Sequence, residues 1–282
     1  MIISEIRYNQ AIERLRFDAE FYKPEYLEAE EVVKRFPNIK TVGEIAESIV
    51  NGVEIREYVP EGIPYLRVSD MKEVFIDISK VSKVRANSIV VKDVKLEEGD
   101  LLFSRSGTLG IICIVTSEIK GSIISSHLIR VRLKEINPFY AVIFFNCKYG
   151  QHQILRRNNG AVVPEIDQPS LKTVFIPIPS VSFQQKVESY VKEAYKKRKL
   201  ADEKYKQAEA LLNKILGIEK LELKQEKGFE ARFDEIEETL RFDAEHYQPK
   251  YRRVKEFITK LGYEVKKLRE VVEISDKKIE HS

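Results

Sequence analysis

Short apolar runs separated by turn residues fill the chain from residue 41 to about residue 180. The runs lie at residues 64–68, 74–78, 101–104, 111–115, 129–133 and 173–178. Gly, Pro, Asn and Asp separate them, which is typical of β-strands, and helical patterns at 138–147 and 150–157 interrupt the series. Because the runs are too irregular for a parallel βαβ array, we predict a mixed α/β domain with a mainly antiparallel sheet.

After residue 180 the apolar side chains recur at steps of three and four, which is typical of a helix. The positions run from Phe183 to Ile215, Ser182 and Gln185 fit an N-terminal capping box, and Gly217 fits a C-cap. About 35 helical residues extend roughly 50 Å, more than a globular core needs. We predict a coiled-coil-type helix whose narrow apolar seam pairs with a second helix, preferably from another chain. The alternative is a long helix that lies on its own domain.

A long-range internal repeat organises the chain. Residues 15–26 return as residues 240–251, with nine of twelve positions identical at an offset of 225. A period of this length indicates a duplicated domain-sized unit, because solenoid repeats have periods of 20–50 residues. We therefore predict four regions: an N-terminal repeat element at 1–40, the mixed α/β domain at 41–180, the long helix at 181–217, and a linker with the start of a second repeat at 218–282.

Composition excludes several classes of protein. With 43% hydrophobic and 10% aromatic residues among 282, the chain can bury a core and is not disordered throughout. Its two cysteines, Cys113 and Cys147, are too few for a disulfide scaffold. No signal peptide is recognisable and no apolar run approaches the roughly 18 residues of a membrane span. We expect a cytoplasmic protein that does not associate with membranes.

Positive charge is concentrated in one stretch. Residues 101–160 contain eight Lys and Arg but two Asp and Glu, a local charge of +6 in a chain with a net charge of +3, so the remainder carries −3. Such an excess predicts an anion-binding surface, with nucleic acid as one candidate. The alternative is a chance excess on a solvated face.

The most distinctive motif lies at residues 99–110, Gly-Asp-Leu-Leu-Phe-Ser-Arg-Ser-Gly-Thr-Leu-Gly. The pattern predicts a buried strand followed by a polar, glycine-rich turn that holds Arg105, Ser106 and Thr108 together. No Gly-Lys-Ser/Thr follows, so the motif is not a nucleotide P-loop. By itself, the motif favours a structural turn.

Four motifs in order resemble the specificity subunits of prokaryotic type I restriction-modification systems. Tyr65-Leu66-Arg67-Val68-Ser69-Asp70 resembles the family's early strand motif, and residues 99–110 resemble its Gly-Asp…Arg-Ser-Gly-Thr motif. Residues 160–179 resemble the end of a target recognition domain, and Gln184-Gln185 resembles the start of the spacer helix. The resemblance implies a non-catalytic subunit that reads double-stranded DNA and positions methyltransferase and restriction-translocase subunits on a bipartite site.

The same resemblance implies where the chemistry resides. S-adenosylmethionine, Mg²⁺ and ATP would act in the partner subunits, and this chain would hold no cofactor. Members of the family usually carry two recognition domains, whereas this sequence has one and the start of a second repeat. A self-dimer through the long helix is one way to read both halves of a site.

Candidate DNA-contacting residues combine hydrogen-bonding side chains with the basic segment. Arg suits guanine, Asn suits adenine, and hydroxyl groups contact either bases or phosphates. The resemblance adds the first two of the following candidates: Arg67, Ser69, Arg105, Ser106, Thr108, Ser125, Ser126, His127, Arg156, Arg157, Asn158 and Asn159. For Arg105 the alternative is a brace for its own glycine turn through backbone carbonyls.

No catalytic motif is recognisable. The sequence lacks a methyltransferase Asn/Asp-Pro-Pro-Tyr motif and metal-ligand spacing among its His and Cys residues. Asp18 and Glu20 recur as Asp243 and Glu245, for which a structural role is favoured. Two alternatives to a specificity subunit remain: the recognition piece of a fused restriction-methylation enzyme, and a protein-only helical scaffold.

Overall fold

A computed structural model describes residues 6, 8–14, 16–85, 94–218, 221, 228–266 and 268–272. The chain divides into two compact units, residues 1–194 and 195–282. Leu15, the first residue of the repeat, lies outside the described residues. Within the described part of the chain, no helix is long and apolar enough to cross a bilayer.

The described residues of the first unit form three small sheets. Its strands, in chain order, are β1 (Ile39–Thr41), β2 (Ala46–Asn51), β3 (Ile63–Leu66), β4 (Ser82–Val84), β5 (Leu101–Ser104), β6 (Ile112–Ile114), β7 (Ile123–Ile124), β8 (Leu128–Leu133) and β9 (Phe175–Pro177). The sheets have the orders β1-β9, β2-β8-β5-β6 and β4-β3-β7. Every strand pair is antiparallel except β3 with β7. The prediction of a mixed fold with a mainly antiparallel sheet is confirmed.

Strand β5 forms the centre of the largest sheet. All four of its residues are buried: β6 and β8 pair with its two edges, Phe103 packs against Phe145, and Leu102 belongs to the core cluster that includes Leu66. Leu102 lies between Cys113 of β6 and Arg130 of β8 in the register. The apolar run predicted at 101–104 is therefore a central strand. The run at 74–78 is not a strand: Val74 has a φ of 67°, and this segment makes only isolated bridges.

Short helices surround these sheets. In the first unit they are α1 (Tyr8–Arg14), α2 (Pro24–Lys34), α3 (Val42–Ile45), α4 (Pro138–Asn146), α5 (Lys148–Arg156) and α6 (Gln168–Lys172). The helical patterns predicted at 138–147 and 150–157 are confirmed as α4 and α5. The Asn137 side chain accepts hydrogen bonds from two backbone N–H groups of the first turn of α4, and Pro138 occupies its first position.

The long helix α7 extends over Val181–Leu216. Gly217, with a φ of 64°, follows it as the predicted C-cap. The predicted capping box is wrong, because the helix begins before Ser182 and the Ser180 hydroxyl accepts the hydrogen bond from the Phe183 N–H. Gln184 is buried and its side-chain oxygen accepts from the Asn137 N–H. The start of the helix is thereby attached to α4.

The internal repeat is also a repeat of structure. In the second unit, α8 (Phe233–Thr239), a 3₁₀ turn (Ala244–Tyr247) and α9 (Pro249–Lys260) follow α7, and α10 (Leu268–Val271) comes last. The first unit has α1, a 3₁₀ turn (Ala19–Tyr22) and α2, each beginning 225 residues earlier. We name residues 8–34 the first repeat element and residues 233–260 the second repeat element.

Aspartates at equivalent positions hold the two 3₁₀ turns. Asp18 accepts from the Phe21 N–H and pairs with Arg16 at 2.7 Å. Asp243 accepts from the His246 N–H and pairs with Arg241 at 2.6 Å. The structural role predicted for the repeated acids is confirmed for both aspartates.

Candidate nucleic-acid interface

A surface groove of about 570 Å³ in the first unit is lined by residues from five chain segments, four of which contribute polar side chains. Its lining consists of Glu54, Ile55, Arg56, Tyr58, Tyr65, Arg67, Val68, Ser69, Ser106, Gly107, Thr108, Ser125, His127 and Val163. Six of the twelve residues predicted to contact DNA are among them: Arg67, Ser69, Ser106, Thr108, Ser125 and His127. We call this surface the recognition groove.

Sheet topology explains why distant residues meet in the recognition groove. Strands β3 and β7 are parallel, so their carboxyl ends lie at the same sheet edge. Arg67 follows β3 directly and Ser125 follows β7, and the Ser125 N–H donates to the Leu66 carbonyl at 2.9 Å. The Arg105 N–H donates to the His127 carbonyl at 2.9 Å, which attaches the glycine-rich turn after β5 to the same edge.

Arg67 is held in place within the groove but remains partly exposed. Its guanidinium lies 5.4 Å from the centre of the Tyr58 ring, a cation–π arrangement. Its Nε atom is 3.9 Å from a carboxylate oxygen of Asp70 and makes no hydrogen bond with the described residues. The Asp70 carboxylate accepts from the Arg67 backbone N–H at 2.8 Å. The Nε atom is buried, whereas 37% of the Arg67 side chain is exposed in the groove.

Two neighbouring serines have different environments. Ser125 is buried, and its hydroxyl has no hydrogen-bond partner among the described residues. The Ser126 hydroxyl donates to Glu54 at 2.7 Å, and Arg56 pairs with the same carboxylate at 3.2 Å. The Ser126 hydrogen bond and the Arg56 side chain lower the pKa of Glu54 from its ordinary value. Ser126 therefore positions Glu54.

The sequence prediction missed Glu54, Arg56 and Tyr58. They lie on the segment that follows β2, a strand that the apolar pattern did not reveal because its residues are only partly buried. The available signal was local: charged residues alternate with Ile55 and precede Tyr58. Charged and aromatic side chains together are common at nucleic-acid surfaces.

Arg105 braces the glycine-rich turn but not in the way predicted. Its guanidinium donates to Glu165 from Nη2 at 2.6 Å and from Nε at 3.1 Å, instead of contacting backbone carbonyls of its own turn. The Gly107 N–H donates to the Pro164 carbonyl at 3.1 Å, and Gly107 has a φ of 88°, which favours glycine. Arg105 is thus a positioning residue for Ser106 and Thr108.

Arg156 and Arg157 are buried, which corrects the expectation that they contact DNA. Each is about 5% exposed, and both guanidinium groups donate to Glu30, Arg156 at 2.7 Å and Arg157 at 3.3 Å. The Arg156 guanidinium also lies 4.2 Å from the centre of the Phe21 ring. The two arginines join α5 to the first repeat element and do not reach a surface ligand.

Asn158 and Asn159 belong to the loop beside the recognition groove. The Asn158 side-chain oxygen accepts from the Gly160 N–H at 3.1 Å and the Glu165 N–H at 2.9 Å, so it holds the loop. Asn159 is exposed, and its backbone N–H donates to the Glu165 carbonyl. Neither asparagine lines the groove, although Val163 of their loop does.

Acids from outside residues 101–160 neutralise much of the positive charge in that stretch. Asp100 pairs with Arg130 and Arg132, Glu97 with Lys120, Glu165 with Arg105, and Glu30 with both buried arginines. The excess of +6 is therefore not a single basic face. The cations that line the recognition groove are Arg56 and Arg67, which lie outside the basic stretch.

Comparison with known proteins shows the family. The model of the type I restriction modification DNA specificity domain matches residues 38–210, more than half of the chain. No curated protein matches the chain.

Solved structures of low sequence identity resemble parts of the chain. The HsdS subunit from Thermoanaerobacter tengcongensis is 18% identical with a TM-score of 0.43, over 73% of this chain and 51% of that one. The type I S subunit from M. genitalium is 13% identical with a TM-score of 0.47, over 66% and 47%. A chain from a structure on assembly and conformational transition of the type I R-M system is 17% identical with a TM-score of 0.44, over 73% and 52%.

The match therefore spans about half the length of these solved chains. The family assignment rests on the family model, whose matched residues include the whole recognition groove and most of α7. The chain belongs to the type I restriction-modification DNA specificity domain family.

Proposed function

We propose that this chain is a non-catalytic, sequence-specific DNA-recognition subunit and that it reads duplex DNA with the recognition groove. The observation that carries the proposal is the convergence of Arg67, Ser125 and the glycine-rich turn at one sheet edge. Strand ends and braced turns place these side chains on a rigid frame, which suits the reading of base edges.

The groove offers the donors and acceptors that base edges require. An arginine such as Arg67 can donate two hydrogen bonds to guanine O6 and N7, and a carboxylate such as Glu54 can accept from cytosine N4. The hydroxyls of Ser69, Ser106 and Thr108 can contact bases or phosphates. Arg56, on the exposed rim, is suited to a phosphate contact that sets position without sequence preference.

We further propose that methyltransferase and restriction-translocase subunits are the partners of this chain. S-adenosylmethionine, Mg²⁺ and ATP would act in those subunits, in the cytoplasm of a prokaryotic cell. Membership of the specificity family supports this arrangement.

Mapping of methylated bases tests the proposal. A type I methyltransferase subunit from the same genome is expressed in a methylation-free host with and without the chain, and methylated positions are sequenced. We expect methylation at one defined DNA sequence only when the chain is present. Methylation of the same positions by the methyltransferase alone would contradict the proposal, as would methylation without sequence preference in the presence of the chain.

A further inference from the structure

A loop beside the recognition groove exposes four apolar residues in succession. Residues 161–164, Ala-Val-Val-Pro, are all exposed, Val162 to 94% and Val163 to 50%. Val163 also lines the recognition groove. Because a run of apolar side chains in water is unfavourable, a protein surface keeps such a run chiefly where it has a function. We name residues 158–165 the valine loop.

The valine loop is braced within itself. The Asn158 side-chain oxygen accepts from the Gly160 and Glu165 N–H groups, and the Asn159 N–H donates to the Glu165 carbonyl at 2.8 Å. A Cβ atom at Gly160 would lie 1.9 Å from the Val163 carbonyl oxygen, so the loop closes only with glycine there. These contacts fix the backbone on both sides of the two valines.

Backbone hydrogen bonds also join the valine loop to the glycine-rich turn after β5. The Ile166 N–H donates to the Arg105 carbonyl at 2.9 Å, and the Gly107 N–H donates to the Pro164 carbonyl at 3.1 Å. Val163 lines the recognition groove together with the hydroxyl side chains of that turn. An apolar patch is therefore held next to hydrogen-bonding groups on one braced frame.

The size and surroundings of the patch indicate its ligand. Two valines offer far less than the roughly 800 Å² that each partner contributes to a stable protein interface. Hydroxyl groups and the Arg67 guanidinium share the groove, and such groups suit DNA. Among the four unmodified bases, thymine alone presents an apolar group in the major groove, its 5-methyl group, and small apolar side chains contact that group.

We infer that Val162 and Val163 select a thymine by contact with its 5-methyl group in the major groove. The inference rests on the proposed function and adds two specificity-determining residues to it. Cytosine carries a hydrogen atom where thymine carries the methyl group, so the valines would favour thymine at one position. The DNA sequence that the chain recognises therefore contains at least one A·T pair.

Replacement of thymine by deoxyuridine tests the inference, because uracil pairs with adenine as thymine does and lacks only the methyl group. The chain is assembled with a type I methyltransferase subunit from the same genome, and its methylated sequence is mapped. Each thymine of that sequence is then replaced in turn in a synthetic duplex, and binding of the complex is measured. We expect one replacement to weaken binding about fourfold, the factor for one buried methyl-sized group.

Valine variants identify the residues that sense the methyl group. In a Val162→Ala/Val163→Ala chain, the same replacement should have almost no effect on binding. Val181→Ala is the matched control, since Val181 is an exposed valine outside the recognition groove, and it should keep the loss seen with the native chain. Circular dichroism and assembly with the methyltransferase confirm that each variant folds.

The outcomes separate this inference from the proposed function. If the chain confers no defined methylation sequence, the proposed function fails and the inference fails with it. If a defined sequence is methylated, three results would overturn the inference alone. These are a sequence without an A·T pair, equal binding of every deoxyuridine duplex, and a methyl effect that is unchanged in Val162→Ala/Val163→Ala.

Discussion

At the scale of single residues, Glu30 is the buried acid that holds two buried arginines. Burial by itself would raise the pKa of Glu30, but the positive charges of Arg157, Lys34 and Arg156 lower it to about 2. The ion pairs with Arg156 and Lys34 measure 2.7 and 2.8 Å. Glu30 lies on α2, Arg156 is the last residue of α5, and Arg157 follows it directly. The ion pairs among these three residues therefore attach the first repeat element to the domain at residues 41–180.

The lowered pKa of Glu30 predicts an acid-dependent stability. A carboxyl with a folded pKa of about 2 and an unfolded value near 4.5 binds more protons when unfolded, so its contribution is complete above about pH 5 and is lost as pH falls toward 2. The difference corresponds to roughly 3 kcal/mol. Urea unfolding at several pH values should show Glu30→Gln less stable than the native chain at pH 7, with the gap narrowing steadily from about pH 5 toward pH 2.

Glu31→Gln is the matched control, because Glu31 neighbours Glu30 on α2 and is exposed. Its free energy of unfolding should follow that of the native chain at every pH. A gap between Glu30→Gln and the native chain that stays constant from pH 7 to pH 3 would show that charge pairing is not the source.

Arg156 provides a second test at this scale. Arg156→Ala removes one partner of a buried ion pair and should lower the free energy of unfolding by about 3–5 kcal/mol. Arg35→Ala, an exposed change just after α2, should alter it by less than about 0.5 kcal/mol. Denaturant unfolding measures both. A loss for Arg156→Ala no larger than that for Arg35→Ala would contradict the burial of this guanidinium.

The arginines also show which side-chain locations can be predicted from local sequence and which cannot. Ser106 and Thr108 were found because they lie in a turn motif after a predicted strand, whereas Arg67 was added by the family resemblance, and all three line the groove. The partner of Arg156 lies 126 residues earlier, and local charge cannot reveal a pairing over that separation. The basic segment therefore supplied four residues of the recognition groove, Ser106, Thr108, Ser125 and His127, and two arginines that are buried.

At the scale of elements, α7 keeps most of its apolar seam exposed. Phe183, Tyr190, Leu212 and Ile215 are each more than half exposed, whereas Val191 is buried. Periodicity predicted the length of the helix and its end at Gly217, because both depend on local sequence. The start was predicted two residues too late, with Ser182 as the N-cap instead of Ser180. Serine is a good N-cap residue at either position, and the contact of Gln184 with Asn137 favours the start after Ser180.

The exposed seam predicts association of the chain through α7. Sedimentation velocity at micromolar concentration should show a dimer or larger species, and Leu212→Lys should shift the chain toward monomer because it places a charge in the seam. Ala210→Lys adds the same charge on the opposite side of the helix and should leave association unchanged. A monomeric native chain, with Leu212→Lys equally soluble and stable, would argue against a paired seam.

At the scale of the whole molecule, the internal repeat predicted structure correctly, whereas the distribution of charge along the sequence did not. The repeat of residues 15–26 was visible in sequence, and its structural equivalence extends to whole elements because capping aspartates and tyrosines recur with it. The net charge of residues 101–160 wrongly predicted a basic surface, because acids outside this stretch form ion pairs with its cations. These acids are Asp100, Glu97 and Glu165. The central claim is that sequence is read in the recognition groove.

Methylation specificity of an Arg67→Ala chain, assembled with its methyltransferase, tests that claim most directly. If Arg67 reads a base, discrimination between bases at one position of the site should fall by about 1–3 kcal/mol. If Arg67 binds a phosphate, methylation should weaken at all sites, and the slope of log affinity for DNA against log salt concentration should fall in magnitude by roughly 0.9. Arg35→Ala is the control outside the groove. The account predicts one of these two changes for Arg67→Ala and neither for Arg35→Ala, whereas unchanged sites, rates and salt dependence in Arg67→Ala would contradict it.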